Sequence, residues 1–151
     1  MSPTARIRTD LANVDPESRP SAVGSAGPAH AGVTDSHDPA EPPLDFLALH
    51  AQFDGDSAFV RRLCQTFVSS TSRILNELGA AALAGERTAV QALAHKIKGA
   101  GHNVHAHPMA TLAASIESGA VSLPLPELTR AIEALRRAFD ELLAYVSSEL
   151  R

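Results

Sequence analysis

The chain has 151 residues, with 13 Lys plus Arg against 17 Asp plus Glu and a net charge of −4. That length suits one domain and a tail, and the mixed, slightly acidic balance argues against a general nucleic-acid binder, which concentrates basic charge on one surface. Aromatic residues make up 4% with no tryptophan, so base-stacking platforms are poorly supported, and a single cysteine, Cys64, excludes an intrachain disulfide.

Met1 to Pro43 carries seven prolines among scattered Gly, Ser, Ala and charged residues, without apolar periodicity. Such a stretch cannot offset its ordering entropy by burial, so residues 1–43 are expected to be a disordered tail or interdomain linker, with His30 and His37 incidental. The opening residues lack the apolar core of a signal peptide, and no run reaches the roughly 18 apolar residues of a bilayer span. The expected location is therefore the cytoplasm, either free or as the cytoplasmic end of a membrane-bound sensor, with no direct membrane contact.

From Leu44 the texture becomes helical. Leu44, Phe46, Leu47 and Leu49 fit a short opening helix that stops at Asp54-Gly55, and Asp56 or Ser57 can cap the next. Phe59, Leu63, Phe67, Ile74 and Leu78 then form a stripe at helical spacing, widened by Val60, Cys64, Val68 and Leu75, until Gly85 breaks it. A third helix over about Glu86 to Val104 puts Val90, Leu93, Ala94, Ile97 and Gly101 on one face. The fourth runs from about His107 to Ser118, opened by Pro108 and closed by Gly119. Pro124 and Pro126 introduce a last helix whose Leu128, Ile132, Leu135, Phe139, Leu142 and Val146 follow a bundle seam. Short connections favour antiparallel neighbours, so residues 44–150 are expected to form an all-α, antiparallel four-helix bundle with a short additional N-terminal helix.

The third helix holds the chemistry. At about 100 degrees per residue, His95 lies roughly 140 degrees from Val90, in a sector shared with Gln91, Lys98 and His102. An imidazole nitrogen is nucleophilic near neutral pH, and a rigid helix can hold it outward for a partner protein. Lys98, at i+3, can compensate phosphoryl charge on that ring, and Lys96 and Arg87 add positive potential. Gly99 removes bulk where a partner would approach, at about 0.5 to 1 kcal/mol in helix propensity. No Walker loop, kinase nucleotide site or aspartate cluster is visible. The domain is therefore expected to have no autonomous ATP-dependent kinase site and no bound cofactor of its own, with Mg2+ and the acceptor carboxylate supplied by the partner.

The run Ala94-His95-Lys96-Ile97-Lys98-Gly99-Ala100 resembles the phosphoacceptor helix of the histidine-containing phosphotransfer (Hpt) domain of bacterial multistep phosphorelays. Gly55-Asp56 with Phe59, Leu63 and Phe67, the Gly85-Glu86 turn, Leu112 and the Ile116-Glu117 pair extend the resemblance over roughly Leu44 to Leu150. It implies that His95 is the phosphoacceptor and donor, with Lys98 and Gly99 in the family's lysine and glycine positions. It also implies that the partners are receiver domains of a hybrid sensor kinase and a response regulator. Gln91, Lys96 and His102 are the expected partner surface.

Two positions depart from the family pattern: His105 stands where glycine is frequent, and His102 where small residues are common. An interaction-only adaptor that docks a receiver without accepting phosphate is the alternative function. Zinc held by His102, His105 and His107 is disfavoured, since three ligands across a helix end lack a fourth partner.

Overall fold

A computed structural model describes residues 41–151, so the expected tail and its His30 and His37 lie outside the described residues, apart from Glu41, Pro42 and Pro43. Five helices follow: α1 (Phe46–Gln52), α2 (Ser57–Leu83), α3 (Arg87–Asn103), α4 (His107–Gly119) and α5 (Leu125–Glu149). There is no strand among the described residues. The all-α bundle read from the periodicity is what forms.

Local chemistry fixes the helix ends. The carboxylates of Asp45 and Asp56 accept from the amides of Ala48 and Phe59, each at 2.9 Å, satisfying donors that have no partner inside the first turn. Pro108 and Pro126 occupy the first turns of α4 and α5, where a missing N–H costs little. At the far end of α2, Gly85 adopts φ +74° while the Glu86 amide reaches back to the Ala81 carbonyl at 2.9 Å. This left-handed cap stops the helix and turns the chain sharply.

The same cap closes α3 with a less suited residue. His105 sits at φ +57°, its amide bonded to the His102 carbonyl at 3.2 Å and the Ala106 amide to the Gly101 carbonyl at 2.8 Å. The turn that glycine would favour is thus made with histidine, both hydrogen bonds in place.

Helices α2 to α5 pack in a ring, each against its neighbours in sequence and α2 against α5, with α3 and α4 the most intimate pair. Gly101 lies where the two helices come close. A Cβ built there would lie 3.2 Å from Ala110 Cβ and 3.3 Å from the Ala106 carbonyl oxygen, a tight fit that a side chain could take only if its neighbours gave by a few tenths of an ångström. Around this seam Val90, Ala94, Ile97, Met109, Ala113 and Ile116 are fully or almost fully buried.

Helix α1 lies at one end of the ring. The Asp45 amide donates to the His105 carbonyl at 3.0 Å, and Phe46 meets Tyr145 of α5 with ring centroids 5.7 Å apart. Leu44 and Leu49 are buried there, whereas Leu47 is 83% exposed because two turns of helix can bury only one side. Phe59 also leaves the expected stripe. It stands in the first turn of α2, beyond the bundle interior, and packs its ring on Phe53 at 4.7 Å while remaining partly exposed. Cys64 is buried, and burial raises its thiol pKa by penalising the thiolate, as expected of a small core residue.

Candidate phosphoacceptor site

His95 projects outward from the middle of α3 with 66% of its side chain exposed, while Ala94 and Ile97 on either side of it are fully buried. Helical geometry alone produces this division, since positions 94 and 97 share a face that position 95 leaves by about 100 degrees. Helix α4, running antiparallel beside α3, then supplies what the local pattern lacks. Glu117 approaches with Oε1 2.7 Å from His95 Nδ1 and Oε2 2.5 Å from Lys98 Nζ. One carboxylate therefore spans the imidazole and the ammonium, an oxygen to each.

The Lys98 hydrogen bond first, and the His95 hydrogen bond second, lower the Glu117 pKa below its ordinary carboxylate value. At neutral pH the carboxylate is ionised and can only accept. Its contact with Nδ1 consequently requires the proton on that nitrogen: Nδ1–H donates to Oε1. In the neutral ring Nε2 is then the unprotonated nitrogen, and its lone pair is the nucleophilic one. Lys98 is 30% exposed and leans along the same side of α3, as its i+3 position requires.

Gly99 leaves open space beside this group, because a Cβ added there would meet no atom within 4 Å. Gln91, Lys96 and His102 are all exposed. His102 is packed against His107 at the start of α4, with centroids 6.0 Å apart, and His107 is 5.7 Å from His105. His105 in turn places Nε2 2.6 Å from Gln52 Oε1 on α1. No group of three or more His, Cys, Asp or Glu among the described residues is arranged to hold a metal ion.

Arg87 takes a different place from the one its charge suggests. Its Nη1 donates to the carbonyls of Ala120 and Leu123 at 3.1 and 2.9 Å, so the guanidinium ties the beginning of α3 to the α4–α5 connection. It acts as a staple across the seam. A groove of about 160 Å³ lined by Leu75, Asn76, Arg136 and Phe139 lies between α2 and α5, across the ring from the α3–α4 seam. It is not part of the His95 site.

Glu117 is the residue that sequence reasoning left out of the site. The Ile116-Glu117 pair gave a signal, since an acidic residue follows a buried position on α4, but its partner lies 22 positions away. Only the antiparallel register of two helices brings them together.

An outward imidazole with its tautomer set by a neighbouring carboxylate, and a cation one helical turn on, belongs to the class of helical phosphotransfer modules. Residues 62–145, more than half of the chain, match the Hpt domain, and the chain belongs to that family. It is similar to the crystal structure of histidine-containing phosphotransfer protein B from Pseudomonas aeruginosa PAO1. That match has 28% identity and a TM-score of 0.66, covering 72% of this chain and 95% of the other. No curated protein sequence matches. The chain is thus a phosphotransfer protein of two-component signalling, and receiver domains are the kind of partner its family engages. Among the described residues no helix is long and apolar enough to cross a membrane.

Proposed function

We propose that this protein is a phosphohistidine intermediate that relays a phosphoryl group between receiver-domain aspartates, one in a sensor kinase and one in a response regulator. The observation that carries the reading is the His95 ring, exposed and with Nδ1 engaged by the Glu117 carboxylate.

In the accepting step the Nε2 lone pair attacks the phosphorus of a receiver's aspartyl phosphate. The N–P bond forms, the P–O bond to aspartate breaks, and the carboxylate leaves with the electron pair. Nδ1 keeps its proton, so the ring becomes a cation, and Glu117 lies 2.7 Å away to balance it. Lys98 is the cation available to the incoming phosphoryl oxygens. To reach them, its ammonium exchanges Glu117 Oε2 for phosphate, a short move for a flexible side chain held on the same face.

The donating step is the reverse with a second aspartate. The protonated ring is a good leaving group because it departs as neutral imidazole, which suits an intermediate that must pass its cargo on. Mg2+ would be held by the receiver's acidic site, where it would neutralise phosphoryl oxygens. Gly99 provides clearance, and Gln91, Lys96 and His102 form the neighbouring contact surface.

Incubation with each phosphorylated receiver domain of the source organism tests the reading. Native protein is expected to gain acid-labile phosphate, and His95→Gln to gain none while retaining its helical content. Receiver binding without any movement of phosphate to the native protein would instead favour the adaptor.

A further inference from the structure

The three histidines beyond His95 form a connected group that the relay chemistry does not use. His102 lies seven residues after His95, two turns and about 10 Å along the same face of α3. Its ring packs on His107, and His107 packs edge-on to His105, which Gln52 braces from behind. The αL backbone of His105 makes this possible by turning the chain so that α4 begins beside the end of α3.

Charge along α3 and α4 leans basic. Between Arg87 and Gly119 the basic residues are Arg87, Lys96 and Lys98, and the only acidic one is Glu117, already shared between His95 and Lys98. The Asp45 amide meets the His105 carbonyl at this corner; His50, Asp54 and Asp56 follow in α1 and the turn after it, and on α5 Tyr145 packs on Phe46. The Asp45 and Asp56 carboxylates cap α1 and α2 through backbone amides. His102 also sits in the last turn of α3.

We infer that exposed His102 and His107, with His105 as their brace, form a protonation-dependent docking edge for the acidic face of a receiver domain. The inference rests on the receiver reading above and adds a pH response to it. Imidazole is the side chain whose ordinary titration falls between pH 5 and 8. An acidic partner stabilises the imidazolium form, so docking takes up protons, and the added affinity is present at low pH and fades as pH rises through the bound-state titration. The receiver is the fitting occupant because this edge is continuous with the phosphoacceptor surface and carries the charge opposite to an aspartate-rich site.

The test uses the full chain and the receiver that exchanges phosphate fastest in the screen described above, loaded with Mg2+ and beryllofluoride. Binding is measured by calorimetry at pH 6, 7 and 8 in low and high salt. A His95→Gln background removes that ring's own titration. Dissociation constants are expected to fall about tenfold from pH 8 to pH 6, with the gain suppressed by high salt. His102→Gln/His107→Gln in the same background is expected to change less than twofold over the same pH range. A double variant that keeps the full pH response, or a parent that shows none, overturns the docking edge while leaving the relay intact. If no receiver exchanges phosphate with the native protein, the relay reading fails first and takes this inference with it.

Discussion

Replacing Glu117 by Gln removes charge from the centre of the site while preserving its shape. The wild-type carboxylate serves two donors at once, His95 Nδ1–H at 2.7 Å and the Lys98 ammonium at 2.5 Å. A carboxamide has one accepting oxygen and one donating nitrogen, and the oxygen goes to the ammonium because that hydrogen bond is charge-assisted. The amide nitrogen then faces Nδ1 and donates to it, which moves the ring proton to Nε2 and blocks the nucleophilic position. Any fraction that keeps the right tautomer still loses the anion that balances the phosphorylated ring. Solvent moderates both effects, since His95 is 66% exposed and the electrostatics are screened. The transfer rate from a phosphorylated receiver is therefore expected to fall by roughly ten- to hundredfold, short of the ~10²–10³ that follows loss of a buried catalytic donor. Stopped-flow or quench-flow transfer gives the rate, and nitrogen-15 chemical shifts of the His95 ring give the tautomer. A Glu117→Gln protein that transfers within twofold of native, with the proton still on Nδ1, would refute the reasoning.

Three further outcomes follow from the same geometry. The Glu117 pKa is lowered by Lys98 and His95, so the clamp's contribution is present above the unfolded carboxylate pKa and is lost as pH falls through the lower folded value. Carbon-13 titration should place Glu117 below a free glutamate, and a midpoint at or above the ordinary value of about 4.3 contradicts this. Gly99→Ala meets open space and should stabilise the fold by about 0.5 to 1 kcal/mol, whereas Gly101→Ala crowds Ala110 and the Ala106 carbonyl and should gain less than Gly99→Ala. Urea melts of the two variants decide it, and equal effects would count against the close α3–α4 approach. Arg87→Ala removes two hydrogen bonds to the α4–α5 connection and should cost about 1 to 3 kcal/mol, with transfer to His95 little changed. A loss of transfer at unchanged stability would return Arg87 to the electrostatics of the site.

How legible the site was depended on the range of each interaction. His95, Lys98 and Gly99 were readable because they lie within five residues on one helix, and a helix fixes relative directions by its own hydrogen bonds. The cap at Asp56, the break at Gly85 and the prolines opening α4 and α5 were readable for the same local reason. Phe59 and Leu47 misled the apolar pattern. Periodicity reports which side of a helix is apolar, while burial also requires another element opposite, and both residues lie where the bundle ends.

Sequence by itself determined five helices, their order, and the outward direction of the imidazole, because each follows from contacts within a few turns of chain. Tertiary structure alone decided that Glu117 reaches both His95 and Lys98, that Arg87 staples a distant connection, and that three histidines meet at one corner. Those meetings depend on the register between antiparallel helices, which is set by how closely two backbones can approach. At Gly101 the two backbones come close, and the same register brings the Glu117 carboxylate to Nδ1 of His95 and so sets its tautomer.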